Sequence, residues 1–128
     1  MYRLPTAEEW EKAARGADGR PYVWGQDFDF SLANSMIGSG RSLGDSRVKL
    51  EPVGSYPTDE SPYGVRDLAG SASEHSNSSL PLFPGWTITR GGSWATSTPV
   101  YFRAACRLAS PGSYPQDGVR LVAVPREQ

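Results

Sequence analysis

Histidine and cysteine are nearly absent: His75 and Cys106 are the only two in 128 residues. A lone cysteine excludes an intrachain disulfide and any site built on several thiolates, and a lone histidine excludes a multi-histidine metal centre. Packing must therefore supply the stability, and a reducing cytoplasm is the expected compartment. Neither sign of charge is in excess, since 13 Lys and Arg face 14 Asp and Glu for a net charge of -1. A field that weak attracts neither nucleic acid nor an anionic membrane surface, so neither is expected as a partner. Long apolar runs are missing as well. Nothing approaches the roughly 20 apolar residues of a membrane span, and the N-terminus lacks the charged-then-apolar order of a secretion signal.

What the chain does hold is glycine, proline and aromatics: 14 Gly, 11 Pro, 4 Trp and 6 Tyr. Few segments carry a helical period, so irregular backbone pinned by large side chains is expected. The length suits one domain over residues 1–128 with a core of its own. The clearest local signal is LPTAEEWEKAARG. Thr6 can cap a helix beginning at about residue 7, Glu9 can close a capping box, and Pro5 stops extension backward. Ala7, Trp10 and Ala14 share one face, Glu8 with Lys12 and Glu11 with Arg15 form i, i+4 pairs on the other, and Gly16 ends the helix.

From Ala17 to Pro62 almost nothing is periodic, and a long structured loop of this kind carries function or needs a tether such as a cation. GSGRSLGDS, at 38–46, has the glycines of a phosphate loop but runs into RVKLEP, where Pro52 forbids a useful helix; no phosphate site is expected without a helix N-terminus. YGVRDLAG and the polar loop SASEHSNSS follow. Thr87–Arg90 and Ser93–Trp94 are predicted as buried strand, with the glycine pair between them allowing a bulge or a close backbone approach. GVRLVAV, at 118–124, is predicted as the last strand. GSYP occurs at 54–57 and 112–115, and turn chemistry explains both copies.

Candidate chemistry is sparse. A Ser–His–Asp arrangement would have to recruit His75 from a polar loop, with no nucleophile-elbow pattern near any serine. A solvated helix face accounts for Glu8, Glu9 and Glu11 better than an acid–base pair does. Cys106, in FRAACRL, is expected as a small buried thiol, with Arg103 and Arg107 engaged in structural hydrogen bonds or ion pairs.

Taken in order, RLPTAEEWEKAARG, YVWG, LAN, PVGSYPTDESPYGVRDLAG, RGGSW, FRAACR and GVRLV resemble the motifs of the formylglycine-generating-enzyme, or sulfatase-modifying-factor, superfamily. They run nearly from end to end of the chain. The resemblance implies an α+β, C-type-lectin-like fold: a small twisted antiparallel sheet, one clear N-terminal helix and much irregular loop. Members carry a further N-terminal stretch with a helix and strands, and this segment is expected to lack it. In the oxidase members a cysteine two residues after the GGSW-type motif, and another about five residues on, bind copper. Here the first position is Thr96 and the second falls at Val100 or Tyr101. One thiolate cannot form the two-sulfur copper site, and the iron-dependent relatives need three histidines, so no copper and neither oxidative chemistry is expected.

The family's AGNVWEW segment reads AGSASEH at 69–75. In relatives its asparagine, a carbonyl and its glutamate help to hold calcium; Ser71 replaces the asparagine here and Glu74 keeps the carboxylate. The other family calcium site matches Asn34, with Asp45 as its partner. One structural calcium, at Ser71 and Glu74 or at Asn34 and Asp45, is one expectation, and a loop pinned by hydrogen bonds alone is the other. With the segment's two tryptophans gone, SASEHSNSS is expected to be covered by another stretch or to be loose.

A scaffold stripped of its thiols implies a non-catalytic ligand-binding or protein-interaction domain. Residues 95–101 and 110–117 are expected on the binding face, with Thr96, Ser97, Thr98, Tyr101, Ser113, Tyr114 and Gln116 contacting a protein or small-molecule ligand. SPYGVRDLAG resembles versions of the domain attached to bacterial serine/threonine kinases, which implies sensing or recruitment. A variable protein of a diversity-generating retroelement is the alternative, and a degenerate enzyme is a third. Homo-oligomerisation is left open.

Overall fold

The computed structural model describes residues 1–40, 42, 44 and 50–126. A short strand β1 (Tyr2–Arg3) leads into the helix α1 (Ala7–Arg15), which starts and stops where its caps dictate. Glu9 N–H donates to Thr6 Oγ1 at 3.1 Å, and Thr6 N–H donates to the Glu9 carboxylate at 2.9 Å. Two amides that a new helix leaves unpaired are satisfied in this way. Ala7, Trp10 and Ala14 are buried, and Gly16 caps the far end. On the outer face the Glu11–Arg15 pair forms at 2.8 Å. The other expected pair does not: Lys12 lies 5.6 Å from the Tyr63 ring centroid, and Glu8 meets Arg107 at 3.3 Å.

The main sheet contains β2 (Ser73–Ser79), β3 (Thr87–Arg90), β4 (Leu108–Ser110) and β5 (Asp117–Val119), in the order β4-β3-β2-β5. Strand β3 is antiparallel to β2 and to β4, whereas β5 runs parallel to β2. The sheet is therefore mixed, not antiparallel throughout, because residues 111–116 return the chain to the far edge before β5 begins. The polar segment SASEHSNSS is not a loose loop; from Ser73 on it forms β2, one of the two interior strands. Its small side chains fit a buried position, and the Ser76 hydroxyl satisfies itself on the Ile88 carbonyl at 2.8 Å. Burial of a hydroxyl is tolerated when it is paired.

The stretch 118–124 does not run as one strand. It breaks at Arg120–Leu121 into β5 and β6 (Val122–Ala123), and β6 pairs antiparallel with β1. Arg120 turns its guanidinium inward at this break, donating to the Arg66 and Asp67 carbonyls at 2.8 and 3.0 Å. Ser93–Trp94 also departs from expectation, forming a turn, because the glycine pair ends β3. Gly91 has φ 93°, and a Cβ there would stand 2.7 Å from the Leu68 carbonyl oxygen. Only glycine allows that approach.

Irregular backbone fills most of the chain between α1 and β2. Aromatic rings pin it, with Tyr22 stacked on Trp24 at 5.7 Å and Phe28 reaching Tyr22 at 5.2 Å and Phe102 at 5.4 Å. These rings join a core of Trp10, Ala14, Val23, Leu68 and Ala104. Arg90, ending β3, is buried among them: it donates to Glu11 at 2.8 Å and to the Ala104 and Cys106 carbonyls at 2.9 and 3.0 Å. Glu11 is thus an internal anchor as well as part of the helix face. Among the described residues no helix is long and apolar enough to cross a membrane.

Candidate functional site

The turn Ser93–Thr96 follows the glycine pair, and it is held by its own backbone and by two other segments. Thr96 N–H donates to the Ser93 carbonyl at 3.0 Å, Trp94 N–H to the Ser71 carbonyl at 2.9 Å, and Met36 N–H to the Thr96 carbonyl at 3.0 Å. Within the turn, Ser93 N–H donates to Thr96 Oγ1 at 2.9 Å. Beside it lies a concavity of about 260 Å3, lined by Ser73, Ser93, Ala95, Thr96, Ser97, Thr98, Tyr101, Leu108 and Gln116. Five residues placed on a binding face from sequence, Thr96, Ser97, Thr98, Tyr101 and Gln116, converge there.

Ser113 and Tyr114 do not join them. Both are exposed on the loop before β5, where Tyr114 N–H donates to Asp117 Oδ2 at 2.9 Å. Sequence reasoning missed Ser73 and Leu108. Ser73 reaches the site through the parallel pairing with β5, in which its N–H donates to the Gln116 carbonyl at 2.9 Å. No local pattern encodes a contact between segments so far apart.

His75 sits on β2 near this wall, held at both ring nitrogens: Nδ1 is 2.9 Å from Thr87 Oγ1 and Nε2 is 3.1 Å from Asp117 Oδ2. A hydroxyl, an imidazole and a carboxylate do align, with a threonine in place of any serine. The row ties the loop before β5 to β2 and β3.

The residues considered for calcium separate into two groups. Asn34 and Ser71 are neighbours joined through backbone, Ser71 N–H donating to the Asn34 carbonyl at 2.8 Å, with Ser71 at φ 59°. Of the two, Ser71 braces the Ser93–Thr96 turn, its carbonyl accepting the Trp94 N–H. The Glu74 carboxylate accepts instead from Trp10 Nε1 at 2.6 Å and from Arg120 Nε and Nη2 at 2.9 and 2.8 Å. A calcium at Glu74 would have to displace a guanidinium, so this carboxylate does not fit a cation as it stands. Asp45 lies outside the described residues. Among the described residues no group of three His, Cys, Asp or Glu is placed to hold a metal. Cys106 lies in the turn before β4, away from the concavity lining, and burial pushes its thiol pKa up. A thiol held protonated is a poor nucleophile and a poor ligand.

The model of the FGE-sulfatase family, described as sulfatase-modifying factor enzyme 1-like domain, matches residues 1–124. The chain belongs to this family. The inactive C-alpha-formylglycine-generating enzyme 2 of Mus musculus is 38% identical to this sulfatase-modifying-factor domain over 97 residues, covering 72% of the chain and 31% of that protein. The hercynine oxygenase of Mycolicibacterium smegmatis is 32% identical over 121 residues, covering 74% and 26%. Among solved structures, Treponema denticola variable protein 1 superposes with a TM-score of 0.72 at 28% identity, over 94% of this chain and 46% of that one. The sulfatase-modifying-factor domain thus has the α+β, C-type-lectin-like fold and spans about a third or less of these two curated relatives. Within it, Thr96 and Tyr101, at or beside the positions where the oxidase pattern has its cysteines, face the same concavity.

Proposed function

We propose that this domain recognises a ligand and does not oxidise one, with the concavity beside the Ser93–Thr96 turn as its binding site. The observation that carries the reading is the lining: hydroxyls, an amide, an alanine and a leucine, with no thiol, carboxylate or imidazole among them. Such a set binds and orients but cannot bind copper or activate a nucleophile at neutral pH. Likeness to an inactive formylglycine-generating enzyme supports it. Because the chain matches only part of longer relatives, we read the domain as the sensing or recruiting module of a larger protein, such as a serine/threonine kinase.

The similarity to Treponema denticola variable protein 1 favours a second reading, that of a variable protein of a diversity-generating retroelement. The segment after GGSW, where such proteins vary, supplies Ala95, Thr96, Ser97, Thr98 and Tyr101 to the lining of the concavity here. A retroelement cassette beside the gene separates the two readings. Likeness to hercynine oxygenase keeps a degenerate enzyme as a third, and oxygen uptake tests it. With copper and a cysteine-containing sulfatase peptide, uptake is expected to match the protein-free control; robust turnover overturns the proposal.

We further propose that the domain keeps its shape without calcium at Glu74, since Arg120 and Trp10 already neutralise and satisfy that carboxylate. The expected result is a melting midpoint unchanged between millimolar calcium and excess chelator. A calcium-dependent rise of several degrees would show binding to the folded state and restore the metal reading.

A further inference from the structure

Two other concavities on the described surface are rimmed by charge. One of about 600 Å3 is lined by Arg66, Asp67, Glu74 and Arg120 together with glycines and valines. Another of about 450 Å3, beside α1, is walled by Glu8, Glu11, Lys12, Arg15 and Arg107. The concavity at the Ser93–Thr96 turn differs: its lining has no charged side chain. Its two main contributing segments, 91–102 and 108–116, contain no Asp, Glu, Lys or Arg at all, in a chain that is 21% charged.

We propose that this concavity takes a neutral, polyhydroxylated ring, a saccharide unit of pyranose size. The inference rests on the ligand-recognition reading above and names the ligand's chemical class. An ionic ligand entering the site would lose hydration without meeting a counter-charge, which is unfavourable. A neutral ligand avoids that loss. The hydrogen-bonding capacity on offer is also unspent. Among the described residues, the side chains of Ser73, Ser97, Thr98, Tyr101 and Gln116 make no hydrogen bond to the protein, although Ser73 is only 9% exposed.

Four of those five groups are hydroxyls, which donate and accept at once, and the amide of Gln116 also does both. That two-way character matches sugar hydroxyls, which must do the same. The Ser93 and Thr96 side chains are occupied within their own turn and form a fixed border. Tyr101 and Leu108, each 39% exposed, add an aromatic ring and an aliphatic branch for the C–H face of a ring. A volume of about 260 Å3 suits one ring with its exocyclic groups better than an extended chain segment.

The test is a titration of 15N-labelled protein with the methyl glycosides of glucose, mannose and galactose and with N-acetylglucosamine. Glucuronate and glucosamine serve as charged counterparts, and N-acetylglycine N-methylamide as a neutral peptide mimic. At least one neutral sugar is expected to shift the resonances of Ser73, Thr96–Thr98, Tyr101 and Gln116, with binding at least several-fold weaker for the charged forms. Tyr101→Ala is expected to weaken it by about ten-fold or more with the melting midpoint unchanged, and Tyr101→Phe by less, because the ring remains. If only the peptide mimic moves these resonances, the site stands and the saccharide class is wrong. If no probe moves them, both the class and the placement of the site fall.

Discussion

Replacing Arg90 by methionine is expected to destabilise the fold by about 3–5 kcal/mol, the range for breaking a buried ion pair from one side. The arginine side chain is completely buried, and its guanidinium joins two segments, α1 and the stretch before β4. It donates to Glu11 of α1, and its carbon lies 5.2 Å from the centroid of the Trp10 ring on the same helix. It also donates to the Ala104 and Cys106 carbonyls, in the stretch that leads into β4. Methionine fills much of the space and donates nothing, so those carbonyls lose their buried partner, and each unsatisfied group costs about 1–3 kcal/mol. Arg107 is the control. It pairs with Glu8 at 3.3 Å from a side chain 40% exposed, and Arg107→Met is expected to cost less than about 1 kcal/mol. Urea unfolding of the two variants measures the difference. Equal, small losses would mean that Arg90 does not hold the carbonyl row.

The second large effect concerns Asp59, which is buried and receives the Leu68 and Ala69 N–H groups at 3.2 and 2.9 Å. Burial pushes its carboxyl pKa up to about 7; the two N–H donors oppose that shift, and the charge of Asp67 adds to it. An unfolded aspartate titrates near 3.9, so between about 4 and 7 the folded state holds a proton that the unfolded state has released. Stability from this group is therefore greatest below the unfolded pKa, declines as pH rises toward 7, and is flat above it. At about 1.4 kcal/mol per pKa unit the full difference is about 4 kcal/mol. Asp59→Asn keeps an acceptor for both N–H groups and cannot ionise. It is expected to flatten the pH dependence and to be the more stable protein at pH 8. Identical slopes for the two proteins between pH 5 and pH 8 would show that Asp59 is ionised throughout.

Both effects come from polar groups whose environment no local pattern announces. Arg90 is one letter of RGGSW in the sequence, and its burial follows from α1 and the stretch 104–106 closing over it. The helix α1 was legible to the residue because its determinants are local: a cap, a period and a terminating glycine. The interior strand β2 was not. SASEHSNSS lacks the alternation and the branched residues that identify a strand, and it is one because β3 and β5 pair with it on either side. The opposite error occurred at GVRLVAV, which has every local mark of a strand and yet divides at Arg120–Leu121 between two sheets.

The lining of the concavity was partly legible. The GGSW register placed Thr96, with Val100 or Tyr101 further on, and the Thr-, Ser- and Tyr-rich composition of 95–101 suggested contact residues; the structure gathers Thr96, Ser97, Thr98 and Tyr101 with Gln116 around one concavity. Tyr114 had the same composition in its favour and stands apart, since composition carries no direction.

Composition and motif order were enough to determine that this is a sulfatase-modifying-factor domain, that it cannot assemble two thiolates or three histidines, and where the helix α1 lies. These are properties of residues present or missing, or of neighbours within a turn or two. That β2 lies inside the sheet, that Arg120 and Trp10 occupy the Glu74 carboxylate, and that Ser73 and Gln116 close one wall of an uncharged concavity were decided only in the folded chain. Each depends on segments tens of residues apart being brought together by burial, and burial is a property of the whole fold.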